Sequence, residues 1–211
     1  MKKAFTLIEL IFVIIIVGIL SVAVVPRMRS NSLQEAATQF MSDIRYTQHL
    51  AMIDDIYDSR DQNWYKGRWQ LLYSKSNSSS RDTGGYDALT IFTDSGANQG
   101  GKPEISEMAR NPMNTLQVLS GGYSGEIDWE DTNATRSMNL GATYGITSIT
   151  QSGCGGQRIS FDNKGRPFIG DDSNWNSSTD GILDAQCVFT LHKDSDSIDI
   201  FIERETGYVH L

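Results

Sequence analysis

The chain opens on an apolar run, Phe5 to Val25, interrupted by one acid, Glu9. At about 1.5 Å per residue the run makes a helix of about 31 Å, enough to cross a hydrocarbon core of about 30 Å. A glutamate in such a segment costs a few kcal/mol and asks for a compensating partner. Pro26 closes the run. It removes a helical hydrogen bond and crowds the preceding turn, so a kink is expected there. Beyond it the polarity becomes periodic. Leu33, Ala36, Ala37, Phe40, Ile44, Thr47 and Ala51 recur at helical spacing, with Gln34, Glu35, Gln39, Asp43, Arg45 and Gln48 on the other face. The pattern predicts an amphipathic helix continuous with the first, fading near Asp54 to Asp58.

From Trp64 onward short runs of β-branched and aromatic residues alternate with Gly, Ser, Asn and Asp. They predict strands at Trp64 to Tyr73, Ala88 to Thr93, Leu116 to Leu119, Thr147 to Ile149, Arg158 to Phe161, Val188 to His192 and Ile198 to Glu203. The last two read as a hairpin through Lys193 to Ser197, with Ile198, Ile200 and Ile202 on the buried face. A short strand near Tyr208 to His210 follows Gly207, and Asp162-Asn163-Lys164-Gly165 is a β-turn. Ser76 to Gly85 and Asp94 to Lys102 read as long polar loops. The expected fold class is α+β, a long N-terminal helix packed on antiparallel sheet.

Composition narrows the function. The 211 residues suit one globular domain plus an anchor, and the net charge of −8 disfavours nucleic acid as a partner. A secretory signal peptide would have a shorter apolar core, although Ser21-Val22-Ala23 mimics a cleavage box. A plain signal anchor explains Lys2 and Lys3 but not Glu9. With Arg27 and Arg29 at the other end, charge counting alone does not orient the segment.

Ala4-Phe5-Thr6-Leu7-Ile8-Glu9-Leu10, an apolar run and a proline resemble the leader of type IV pilins and type II secretion pseudopilins. The resemblance implies a leader, Met1 to Ala4, cut by the prepilin peptidase between Ala4 and Phe5, and N-methylation of Phe5. It makes Glu9 the assembly residue. Ala4 stands where the family has Gly. Physics agrees with the implied roles. Cleavage creates a cationic α-amino group, methylation keeps its charge, and Glu9 of one subunit can then meet the terminus of the next. Two further stretches, the helix LQEAATQFMSDIRYTQHLAMI and the strand–turn–strand ISFDNKGRPF, are similar to the H-type minor pseudopilins, as is Thr206-Gly207-Tyr208-Val209. The resemblance implies a leader over 1–4, a membrane and filament-core helix over 5–25, an amphipathic half over 26–58 and a periplasmic β-rich domain over 59–211. With the body in an oxidising compartment Cys154 and Cys187 would pair, closing a loop worth about 3.8 kcal/mol of chain entropy; buried free thiols are the alternative.

Catalytic signatures are missing. Gly121-Gly122-Tyr123-Ser124-Gly125 fails the nucleophile-elbow spacing, and His49, His192 and His210 fall in unrelated elements. A calcium loop is a weak candidate: Asp172, Asn174 and Asn176 alternate as oxygen ligands, with Asp180 further on, but Ser177 and Leu183 replace the required Gly and Glu. Trp175, Tyr86 and Tyr123 stand among turn residues, and folding back onto the sheet is the expected outcome. The reading is a structural minor pilin or pseudopilin, near the tip of a type II secretion pseudopilus or a type IV pilus, and no enzyme. Its partners would be the prepilin peptidase, other pilin subunits, the inner membrane and the secretion or pilus machinery, with no cofactor expected. A pilus-displayed adhesin or DNA-uptake subunit and a membrane-anchored periplasmic enzyme are the rival readings.

Overall fold

The computed structural model describes residues 6–24, 31–54, 56–77, 81–95, 101–170 and 174–211. The chain forms two units, Met1–Asn31 and Ser32–Leu211. The first contains helix α1, Leu7–Val24. Thr6 caps it, its hydroxyl accepting the Glu9 amide at 3.4 Å, and the Leu10 amide reaches the Thr6 carbonyl at 3.2 Å. Ser, Thr, Asp and Asn favour this position because the first amides of a helix lack internal acceptors. Pro26, and with it the expected kink and the join of one helix to the next, lies outside the described residues. So do Met1 to Phe5, including the Ala4–Phe5 bond.

The second unit opens with α2, Ser32–Ile53, whose predicted stripe is buried as Leu33, Ala36, Ala37, Phe40, Ile44 and Ala51. The helix ends at Ile53, next to Asp54, an acid that is unfavourable at the negative end of a helix dipole. The strands are β1 Trp69–Lys75, β2 Asp87–Thr93, β3 Arg110–Asn111, β4 Asn114–Val118, β5 Ser148–Ser152, β6 Arg158–Phe161, β7 Pro167–Ile169, β8 Cys187–Lys193, β9 Asp196–Ile202 and β10 Val209–His210. They build two four-stranded sheets, ordered β2-β1-β6-β7 and β10-β9-β8-β5, and a small β3-β4 ribbon. The named strand pairs are antiparallel. One core joins α2 to both sheets: Phe40 meets Phe189 edge-on at 5.3 Å, and Leu71, Ile91, Ile159, Ile200 and Ile202 are buried in the same cluster. The α+β architecture is therefore as expected.

Several local expectations change. The first strand begins at Trp69; Trp64–Gly67 instead forms a 3-10 turn, since the Trp64 and Lys66 amides bond back to the Asp61 and Asn63 carbonyls. The short helix α3, Leu140–Tyr144, was not foreseen; Asn139 caps it by accepting the Ala142 amide, and Gly145 ends it in the left-handed region. The polar loops are anchored inside. Thr83 is fully buried and exchanges hydrogen bonds with the Ser76 backbone. Asp94 is also buried and accepts the Gly101 amide at 2.6 Å. A second cluster, Leu72, Phe92, Met108, Val118, Ile127 and Ala134, lies under this middle stretch.

Cys154 and Cys187 are bonded, their Cα atoms 4.7 Å apart, which ties the end of β5's loop to the start of β8. Breaking the bond with Cys154→Ser and Cys187→Ser lowers unfolding free energy by about 2–5 kcal/mol. A urea titration of oxidised wild type against the double variant measures the loss.

Candidate functional site

The chemistry assigned to the N-terminus is local. Glu9 lies in the first turn of α1 and is exposed, and Leu7, Ile8, Leu10, Ile11, Phe12 and the large apolar residues on to Leu20 expose their side chains around it. Thr6 and Glu9 have the spacing of a capping box, Thr at the cap and Glu three residues on. Among the described residues no helix is long and apolar enough to cross a membrane. The 18 residues of α1 span about 27 Å, and the two ends of the apolar run, Phe5 and Val25, fall outside the described residues.

The body's motifs converge on one side chain of α2. Gln48 donates its amide to the Gly165 carbonyl at 2.8 Å and the Thr206 carbonyl at 2.9 Å. Asp162-Asn163-Lys164-Gly165 and Thr206-Gly207 thus meet on the same helix. One turn earlier Arg45 donates to the Val209 carbonyl at 2.7 Å, fixing β10. Gly207 sits at φ 64°, and a Cβ there would come within 2.7 Å of both the Gly165 carbonyl and the Gln48 amide nitrogen. The sequence marks the Asp162–Gly165 turn and the Thr206-Gly207 phrase but not Gln48, since a polar helical residue looks the same whether it faces water or two carbonyls.

Asp43, read as solvent-facing, is buried on α2. Its Oδ1 accepts the Gln39 amide at 2.9 Å, while Oδ2 has no hydrogen-bond partner among the described residues. Loss of water raises its pKa from the ordinary 3.8 to about 7, with the Gln39 bond opposing. The nearby Tyr144 phenol is raised by burial first and then by the charges of Asp43 and Glu35.

The remaining candidates are scattered. Asp180 Oδ2 accepts the Asn176 and Ser177 amides at 2.8 and 3.1 Å, Asn174 and Asn176 are exposed, and Asp172 lies outside the described residues. The expected calcium-loop position of Leu183 is in the core. No group of three His, Cys, Asp or Glu suited to a metal occurs among the described residues. Trp175 folds inward against Phe168, with the Arg68 guanidinium 3.8 Å from the Phe168 centroid, and Tyr86 packs edge-on to Trp129. His49 is on α2, His192 bonds Thr150 across β8 and β5, and His210 of β10 bonds Glu203 at 3.0 Å. That last bond raises His210 and lowers Glu203 from their ordinary pKa values.

A family model described as the prokaryotic N-terminal methylation motif matches residues 1–25. This is a type IV pilin-like signal, placed on the residues that carry Ala4, Phe5 and Glu9. No curated protein and no solved structure gives a significant match to the chain.

Two expectations follow from the body. Gly207→Ala forces a Cβ into the clamp and a left-handed residue without glycine, costing about 1–3 kcal/mol, read as a lowered urea midpoint. For Asp43 the folded pKa is raised, so the folded state holds the extra proton between about pH 4 and pH 7. Stability falls as pH rises through that window, by at most about 4 kcal/mol. Asp43→Asn flattens this slope and makes the variant the more stable protein at pH 8, measured by urea unfolding across pH.

Proposed function

We propose that this chain is a structural subunit of a type IV pilin-like filament, processed by a prepilin peptidase. The observation that carries the reading is the methylation motif over residues 1–25 with its acid, Glu9, in the first turn of an otherwise apolar exposed helix. A carboxylate among apolar side chains is tolerated once a cation stands beside it, and the α-amino group made by cleavage supplies one. Side-by-side packing of such helices relieves a cost that a lone helix carries. In this reading Ala4–Phe5 is the scissile bond, Phe5 is methylated, and the segment anchors in the bacterial inner membrane before the subunit enters the filament.

The finer assignment is a minor pseudopilin of the H type, its body in the periplasm and its place near the tip of a type II secretion pseudopilus or a type IV pilus. An antiparallel α+β body and the bonded Cys154–Cys187 pair support it, since disulfides persist in oxidising compartments. The role is mechanical, without catalysis or a cofactor. His49, His192 and His210 stand on separate elements, and the latter two are held by Thr150 and Glu203.

Two measurements test this. Mass spectrometry of the native protein should find a methylated Phe5 at the N-terminus; a mature chain beginning at Met1 refutes the processing step. Glu9→Leu should leave a stable membrane-inserted protein whose recovery in sheared filaments falls about tenfold or more, consistent with a lost interaction worth at least ~1.4 kcal/mol.

A further inference from the structure

β10 is the shortest strand of its sheet. Its ladder consists of Val209 opposite Ile202 and His210 opposite Phe201 of β9. Successive residues of a strand point to opposite faces. Val209 points inward and is buried in the core, and Arg45 of α2 bonds its carbonyl. Tyr208 and His210 point outward. There the His210 imidazole stacks on Phe201 at 5.3 Å and 20° and on Tyr208 at 5.4 Å and 23°. A strand with so short a ladder depends on its side chains, and His210 is its fastening on the outer face.

Both ring nitrogens of His210 face acceptors. Nε2 is 3.0 Å from Glu203 Oε1, and Nδ1 is 3.2 Å from the Leu211 carbonyl oxygen. A neutral imidazole carries one N–H and can donate to one of them; the imidazolium donates to both. Two aromatic faces beside the ring favour the cation further. Glu203 is held independently of β10, because its Oε1 also accepts the Gln186 amide at 2.6 Å. The other charged groups beside the strand, Arg45 of α2 and Arg204 of the preceding turn, are bonded to the Val209 and Asp184 carbonyls. The Glu203 bond first, and the Leu211 carbonyl second, raise His210 above its ordinary 6.5. The imidazolium contacts therefore stabilise the closed strand fully below about pH 6.5 and are lost as pH rises through the higher folded value. The same pair lowers Glu203 from 4.5, so its contribution is present above about pH 4.5 and lost as pH falls through its lower folded value.

We propose that His210 is a proton-operated latch on β10: as the imidazolium it holds the strand against β9, and on losing its proton it lets β10 open while the rest of the body stays folded. Opening leaves β9 as the edge of its sheet, with backbone groups free to pair with another strand. The test is hydrogen exchange of the full-length chain in non-ionic detergent, read by mass spectrometry at about pH 5.5 and about pH 8, with each rate divided by the intrinsic rate at that pH. The peptide holding Tyr208 to Leu211 should be about threefold better protected at the lower pH. His210→Gln, which keeps a side-chain donor but cannot become a cation, should show the wild-type pH 8 protection at both values, with β8 peptides matching those of wild type. Equal protection of the wild-type peptide at the two pH values overturns the proposal. So does a pH dependence that survives in His210→Gln, which would belong to another group such as Asp43, and so does a loss of protection in β8 along with β10, which would make the opening global.

Discussion

Burial of one stripe of α2 holds the body together. Phe40, Ile44 and their neighbours cannot be covered by either four-stranded sheet alone, and the core they enter draws Leu71, Ile91 and Ile159 from one sheet and Phe189, Ile200 and Ile202 from the other. Apolar area removed from water is the dominant favourable term in folding, at about 25 cal/mol per Å². The sheets are thus organised by a shared helix as well as by their own ladders. Polar contacts then set the register of that packing. Gln48 and Arg45 bond carbonyls in two turns and the last strand, and those of the buried Gly165 and Val209 would otherwise lose water without replacement.

The same helix carries a compromise. Asp43 is buried with one oxygen unpartnered among the described residues, and burial favours its neutral form up to about pH 7. An acid in this position weakens the fold where it ionises, so the body relies the more on its other restraints. Cys154–Cys187 is one, fastening the segment after β5 to β8. The internal bonds of Thr83 and Asp94 are others, drawing apparently loose polar stretches into the structure.

The N-terminal unit obeys a different constraint. Around α1 the apolar side chains are exposed, and Glu9 stands among them in the first turn. Such a surface is unfavourable in water, and its acid is unfavourable in lipid until a cation joins it. Under the proposed function both costs fall when helices of several subunits pack together.

Elements governed by neighbours in sequence were legible from the sequence. The stripe of α2, the exact span Arg158–Phe161 and the β8–β9 hairpin follow from periodicity and turn residues, and the methylation motif is contiguous by nature. The pairing of Cys154 with Cys187 was reachable because the chain has no other cysteines. What stayed hidden depended on residues far apart in the chain. Asp43 and Gln48 look alike as polar helical positions, yet one is buried with an oxygen unpartnered among the described residues and the other clasps two distant turns. Trp64–Gly67 had strand-like composition and became a 3-10 turn, while Leu140–Tyr144 is too short for a periodic signal and exists through its Asn139 cap. Local pattern fixes which face a segment wants to bury; only the packed fold decides which distant groups lose water together, and that loss sets partners, pKa values and clefts.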